Sequence, residues 1–114
     1  MVGSTRFDTF EIAVELITAL KPLVSLVAQH DRDLADQFKR AANSIPLNIA
    51  EGARRTGRDR CHSFRIAAGS AAEVRAALSV AQAWGYIGAD VVAPANVLLD
   101  RVLAMLWRLT HPRS

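Results

Sequence analysis

Apolar residues recur at three- and four-residue spacing through most of the chain. No stretch holds the two-residue alternation of a strand. The pattern predicts four helices. The first spans about Asp8 to His30, with Phe10, Ala13, Val14, Ile17, Val24 and Val27 at helical spacing and Asp8 with Glu11 as its N-terminal cap. Pro22 should bend it rather than end it, because the apolar period resumes beyond. The second begins at Asp31 or Asp33 and ends near Arg55, with an apolar stripe of Leu34, Phe38, Ala41, Ala42, Ile45 and Ile49. Pro46 lies inside it and again predicts a bend.

Thr56-Gly57 reads as a reversal. Gly57 can take positive φ there, and Thr56 with Asp59 can cap the next helix. The third helix runs from about Arg58 to Trp84 and is rich in alanine. Gly69 inside it costs roughly 1 kcal/mol of helix propensity against Ala. Close approach of a neighbouring helix is the usual compensation. Gly85-Tyr86-Ile87-Gly88 ends this helix.

The fourth runs from Val91 or Pro94 to Thr110. Asp90 caps it if it starts early, and Pro94 occupies the first turn if it starts late. It is apolar nearly all round, unlike the surface helix of a monomer. Either the other three helices enclose it or a second face meets another subunit, and we favour the second. Short connections between long helices favour antiparallel neighbours. The fold expected is all-α, an antiparallel up-down-up-down four-helix bundle in a single domain over residues 1–114.

Composition narrows the picture. Of 114 residues, 51% are hydrophobic and 6% aromatic, so Ala, Val, Leu and Ile must fill the core. No apolar run approaches the ~20 residues of a membrane span. The N-terminus lacks the basic start and apolar stretch of a signal peptide. A lone Cys61 excludes an internal disulfide and a multi-cysteine zinc site. We read the chain as cytosolic.

The net charge of +3 is unevenly spread. Residues 1–38 hold three basic and six acidic side chains, residues 39–65 seven and two, and residues 66–114 four and three. The basic block contains Lys39, Arg40, Arg54, Arg55, Arg58, Arg60 and Arg65. Arginine forks match phosphate oxygens and stay charged. Such a cluster can grip an RNA or DNA backbone without reading sequence. It can equally be a solvated helix end pairing with Asp31, Asp33 and Asp36. No aromatic residue interleaves with these arginines, so single-strand base stacking is not suggested.

A polar set, Asn43, Ser44, Asn48 and Glu51, lies on the second helix, which should be a core helix. A hairpin turning between Thr56 and Gly57 would bring Arg40 level with Glu73, Ser44 with Gly69 and Ser70, and Asn48 with Arg65. Asn48, Glu51 and Glu73 could make an acid/base or metal site. A register-fixing polar network is the reading we favour. The histidines have no ligand spacing, and Glu-x-x-His pairs are absent. No Gly-rich phosphate loop, GxSxG or HExxH occurs. We expect no enzyme, no metal and no cofactor.

The stretch Arg40-Ala41-Ala42-Asn43-Ser44-Ile45-Pro46-Leu47-Asn48-Ile49-Ala50-Glu51-Gly52 resembles the signature of four-helix bundle proteins encoded by intervening sequences of bacterial 23S rRNA genes. Ala68-Gly69-Ser70-Ala71-Ala72-Glu73-Val74 resembles that family's second signature. The likeness spans roughly Phe7 to Leu109. It implies a ring-like homopentamer and kinship with accessory variability proteins of diversity-generating retroelements. Those are basic pentamers thought to bind nucleic acid and a reverse transcriptase. Arg40, Asn43, Ser44, Asn48, Glu51 and Gly52 carry over as signature residues, with Gly69, Ser70 and Glu73 from the second motif. The expected function is binding of structured RNA, or of a ribonucleoprotein, through Lys39, Arg54, Arg55, Arg58, Arg60 and Arg65. The alternative is a protein–protein scaffold whose arginines make intersubunit or partner salt bridges.

Overall fold

The computed structural model describes residues 6–111. They form four helices, α1 (Arg6–Ala28), α2 (Arg32–Ala53), α3 (Gly57–Ala83) and α4 (Ala89–Thr110). Packing joins α1 to α2, α2 to α3, α3 to α4 and α4 back to α1. With such short connections, neighbours run antiparallel around one core. The N-terminal stretch read against a signal peptide lies partly outside the described residues.

Local chemistry explains most of the boundaries. Asp31 has extended backbone (φ −154°) and its carboxylate accepts the Leu34 amide at 2.9 Å, a cap at the third helical position. After α3, Gly85 takes φ +81°. The Gly85 amide then donates to Gln82 and the Tyr86 amide to Ala81, both at 2.9 Å. This is the paired Schellman arrangement that satisfies the last carbonyls. Gly57 takes φ +56° at the α2–α3 reversal.

The starts of α1, α3 and α4 each differ from expectation. Helix α1 starts at Arg6, so Asp8 lies in its first turn. Thr56 stands at the cap of α3 in extended backbone, but its side chain makes no capping bond. Gly88 stands before α4, which leaves Asp90 in the first turn and Pro94 inside the helix. Pro94 removes the hydrogen bond to the Asp90 carbonyl, and Asp90 is exposed, so water can replace it. Near a helix start, Asp8 and Asp90 interact favourably with the N-terminal dipole.

The stripe of α2 is as expected. Phe38, Ala41, Ala42, Ile45 and Ile49 are buried and Leu34 is half-buried. The stripe of α1 differs. Its core face is Ile12, Ala13, Leu16, Leu20, Leu23 and Val27, whereas Val14 is 44% exposed. Apolar residues cover more than half the circumference of α1, so several phases fit the spacing and only packing selects one. In α4, Val92, Ala95, Leu99, Val102, Met105 and Leu106 are buried, and Leu98, Leu103 and Leu109 partly so. The bundle thus absorbs most of that helix. Val91, Val97 and Trp107 remain exposed.

Candidate nucleic-acid interface

The end of α2 places Glu51 within reach of two arginines. Arg54 donates to Oε1 at 3.3 Å and Arg55 to Oε2 at 2.6 Å, from positions three and four residues on. Arg55 also lies 3.9 Å from the Asp59 carboxylate across the turn. The Arg60 Nε donates to the Arg55 carbonyl at 2.8 Å. Arg60 therefore closes the end of α2, where carbonyls lack intrahelical partners. Arg58 is exposed and makes no ion pair among the described residues.

The turn thus gathers four arginines against Glu51 and Asp59. Arg54 and Arg55 remain 78% and 52% exposed in their side chains, so these pairs are solvent-screened and contribute little to stability. Such pairs are readily exchanged for phosphate contacts.

The other two predicted contacts part company. Arg65 lies seven residues beyond Arg58 on α3, on the same outer stripe, and is exposed. Lys39 does not join the cluster. It lies about 22 Å along α2 from Arg54, at 1.5 Å rise per residue. With Lys21 it lines a separate groove of about 470 Å³ between α1 and α2, floored by Ile17, Leu20 and Val24.

The polar signature forms a real network, with partners other than those expected. Ser70 donates its hydroxyl to Ser44 Oγ at 2.8 Å, linking α3 to α2. The Asn48 amide donates to Ser44 Oγ and to the Ser44 carbonyl, both at 2.9 Å. Asn48 does not bond Arg65, and Arg40 makes no ion pair with Glu73. Arg40, Asn43 and Glu73 are exposed. An antiparallel hairpin fixes which residues share a level, but each step along a helix turns about 100°, so level alone does not bring side chains together.

Gly69 is the clearest correction. An added Cβ there would meet nothing within 4 Å, and the residue is exposed. The close approach is at Gly52, where a Cβ would fall 2.5 Å from Phe64 Cε1. Phe64 is fully buried, so its ring cannot swing clear. Sequence reasoning finds the glycine of the signature but not its partner.

It also misses an aromatic pair. Trp107 and His111, four residues apart on α4, stack with centroids 4.3 Å apart and planes 10° from parallel. Among the described residues, no group of three or more His, Cys, Asp or Glu side chains is placed to hold a metal ion. No described helix is long and apolar enough to cross a membrane.

Residues 6–108 match the family described as 23S rRNA-intervening sequence protein. The chain belongs to this family. A crystal structure of a protein of unknown function from the S23 ribosomal protein family of Bacteroides thetaiotaomicron superposes with a TM-score of 0.81. It shares 19% identity, over 90% of this chain and 97% of the other. At that identity the likeness is one of fold. No curated protein matches the chain. In this 23S rRNA-intervening sequence family member the first signature accordingly sits on α2, its Ser44 and Gly52 meeting α3, its Asn48 bonded to Ser44, and its Arg40 and Asn43 exposed.

Proposed function

We propose that this 23S rRNA-intervening sequence family member is a non-enzymatic, cytosolic bundle that assembles as a homo-oligomer, a pentamer by family resemblance. In this reading it binds structured RNA through the α2–α3 turn. The observation that carries the reading is the turn itself. Arg54, Arg55, Arg58 and Arg60 converge there with only Glu51 and Asp59 to oppose them among the described residues. An excess of exposed guanidinium groups at one end attracts phosphate without sequence reading. Exposed aliphatic residues on all four helices, among them Val14, Leu47, Val80 and Val97, support assembly with further copies. A closed ring would repeat the basic turn and raise avidity.

Light scattering at low and high salt, with and without a short structured RNA, tests both parts. The expected result is an oligomer mass that rises with RNA at low salt and returns at high salt. A salt-insensitive mass that ignores RNA overturns the binding reading.

The Glu51 pairs favour a second reading, in which the arginines are intramolecular and intersubunit braces of a protein scaffold. Arg58→Glu separates the two, because Arg58 has no ion pair to lose among the described residues. Loss of RNA with the oligomer intact supports the first reading. Loss of the oligomer supports the second.

A further inference from the structure

We propose that the stacked Trp107–His111 pair is a platform for an unpaired RNA base, placed beside the basic turn by the α3–α4 seam. The proposal rests on the RNA-binding reading above and adds to it what the site recognises beyond phosphate.

The seam's register is fixed by one contact. Arg75 on α3 donates to the Asp100 carboxylate on α4 at 2.5 Å. Seven residues further along α4, two helical turns on, is Trp107; seven residues back along α3 is Ala68. The helices are antiparallel, so Trp107 comes level with Ala68 on the same shoulder of the bundle. One turn beyond Ala68 is Arg65, and two turns beyond Arg65 is Arg58, both exposed and neither in an ion pair among the described residues. His111 is the C-cap of α4, where the backbone leaves the helix, and its ring folds back onto Trp107. Along the axis of α3, Arg65 therefore lies about 5 Å and Arg58 about 15 Å from the level of Trp107, in the direction of the turn. The interleaving that the linear sequence lacks is supplied by the packing.

The pair is built to present a flat face. Thr110 donates its buried hydroxyl to the Leu106 carbonyl at 2.9 Å, and also lies 3.2 Å from the Trp107 carbonyl. The same Trp107 carbonyl lies 3.0 Å from His111 Nδ1, which is also 3.1 Å from the Thr110 hydroxyl. With both contacts made, the imidazole lies nearly parallel to the indole. Trp107 is nonetheless 59% exposed, so its remaining surface is open to solvent. A rigid indole with arginines alongside is the combination that stacks bases while neutralising phosphate. An unpaired loop base can reach it, whereas a base inside an A-form helix cannot.

A second aromatic group provides an internal comparison. Trp84 and Tyr86 stack at 6.4 Å, and Tyr86 stacks on His30 at 4.9 Å. Trp84 is even more exposed, at 69%. That group adjoins Asp31, with Asp33 and Asp36 close by in the chain, so carboxylates repel a phosphate backbone there. Exposure of an indole is common to both ends; around the second group the one nearby arginine, Arg32, is outnumbered by Asp31, Asp33 and Asp36, whereas Arg65 and Arg58 follow the level of Trp107 along α3.

The test uses the full-length Trp84→Phe protein, in which Trp107 is the sole indole. It is titrated with an RNA hairpin carrying an unpaired loop and with a blunt duplex of the same stem. Binding is read by anisotropy of labelled RNA and stacking by indole emission with unlabelled RNA. The expected result is quenching by the hairpin and not by the duplex. Trp107→Ala should weaken hairpin binding about 5- to 150-fold, the range of one base–aromatic stack. Duplex binding should change less than about twofold on the same grounds, and Trp107→Phe should restore much of the hairpin affinity. Hairpin binding without quenching overturns the platform and leaves the basic turn as an RNA site. Equal weakening for both RNAs, or an oligomer that dissociates on Trp107→Ala, overturns it too. Absence of any RNA binding at low salt overturns the parent reading and the platform with it.

Discussion

The α2–α3 interface and the α1–α4 interface hold the bundle by different means. Between α2 and α3 the contacts are shaped and directional. The Phe64 ring enters the notch left by Gly52, and the Ser70 hydroxyl bonds Ser44, which Asn48 also engages. Helices α1 and α4 bring aliphatic surface instead, with Leu16, Leu20 and Leu23 on one and Leu99, Val102 and Leu106 on the other all buried. Aliphatic cores tolerate repacking when volume is conserved. A ring in a glycine notch and a hydroxyl pair accept one register. The first interface therefore specifies the hairpin, and the second supplies burial around it.

The largest break in that contrast comes from Phe64→Ala. It removes a fully buried ring and should cost about 3–5 kcal/mol in urea unfolding at fixed protomer concentration. Gly52→Ala comes next. Helix propensity alone favours alanine by up to ~1 kcal/mol, but a Cβ at 2.5 Å from a trapped ring forces a shift. The net expectation is a loss of about 1–3 kcal/mol. The substitution should be coupled to the ring, so that Gly52→Ala costs much less in a Phe64→Leu background. Additive losses would mean that the notch and the ring are independent.

Ser70→Ala should be smaller, about 1 kcal/mol, because Ser44 keeps its bond from Asn48. Gly69→Ala, one residue away, sharpens the contrast from the other side. Open space surrounds that position, so the change should leave stability unaltered or raise it by up to ~1 kcal/mol. A clear loss of denaturation midpoint would show that α3 meets a neighbour there in the assembled protein.

These positions also show what can be read before folding. The stripe of α2 is legible because Asp33, Asp36, Gln37, Lys39 and Arg40 define an outer face that leaves one phase for the apolar set. In α1 the spacing admits Val14 to the core stripe and does not single out Leu16, Leu20 and Leu23. Apolar residues on several faces of α1 make its phase a property of its neighbours. The level of Ser44 with Ser70 comes from the hairpin alone. The pairings of Arg40 with Glu73 and Asn48 with Arg65 do not form, because shared level says nothing about direction around the helix axis. The arginine cluster is visible as charge density. Grouping Lys39 with it is an error, because nearness in composition is not nearness along a helix. The Trp107–His111 spacing is itself helical and is a signal open to sequence reading. Its relation to Arg65 needs the Arg75–Asp100 contact.

By itself the sequence determined four helices, their breaks at Asp31, Gly57 and Gly85, the antiparallel hairpins, the family signature and the location of excess positive charge. Those features arise from local bonding, chain reversal and composition, which act over a few residues. Tertiary structure decided which face of α1 is the core, that Gly52 rather than Gly69 receives a neighbour, which polar groups bond one another, and that Arg75 of α3 meets Asp100 of α4. Those outcomes depend on the rotation of each helix about its axis. Only simultaneous packing against two neighbours sets that angle.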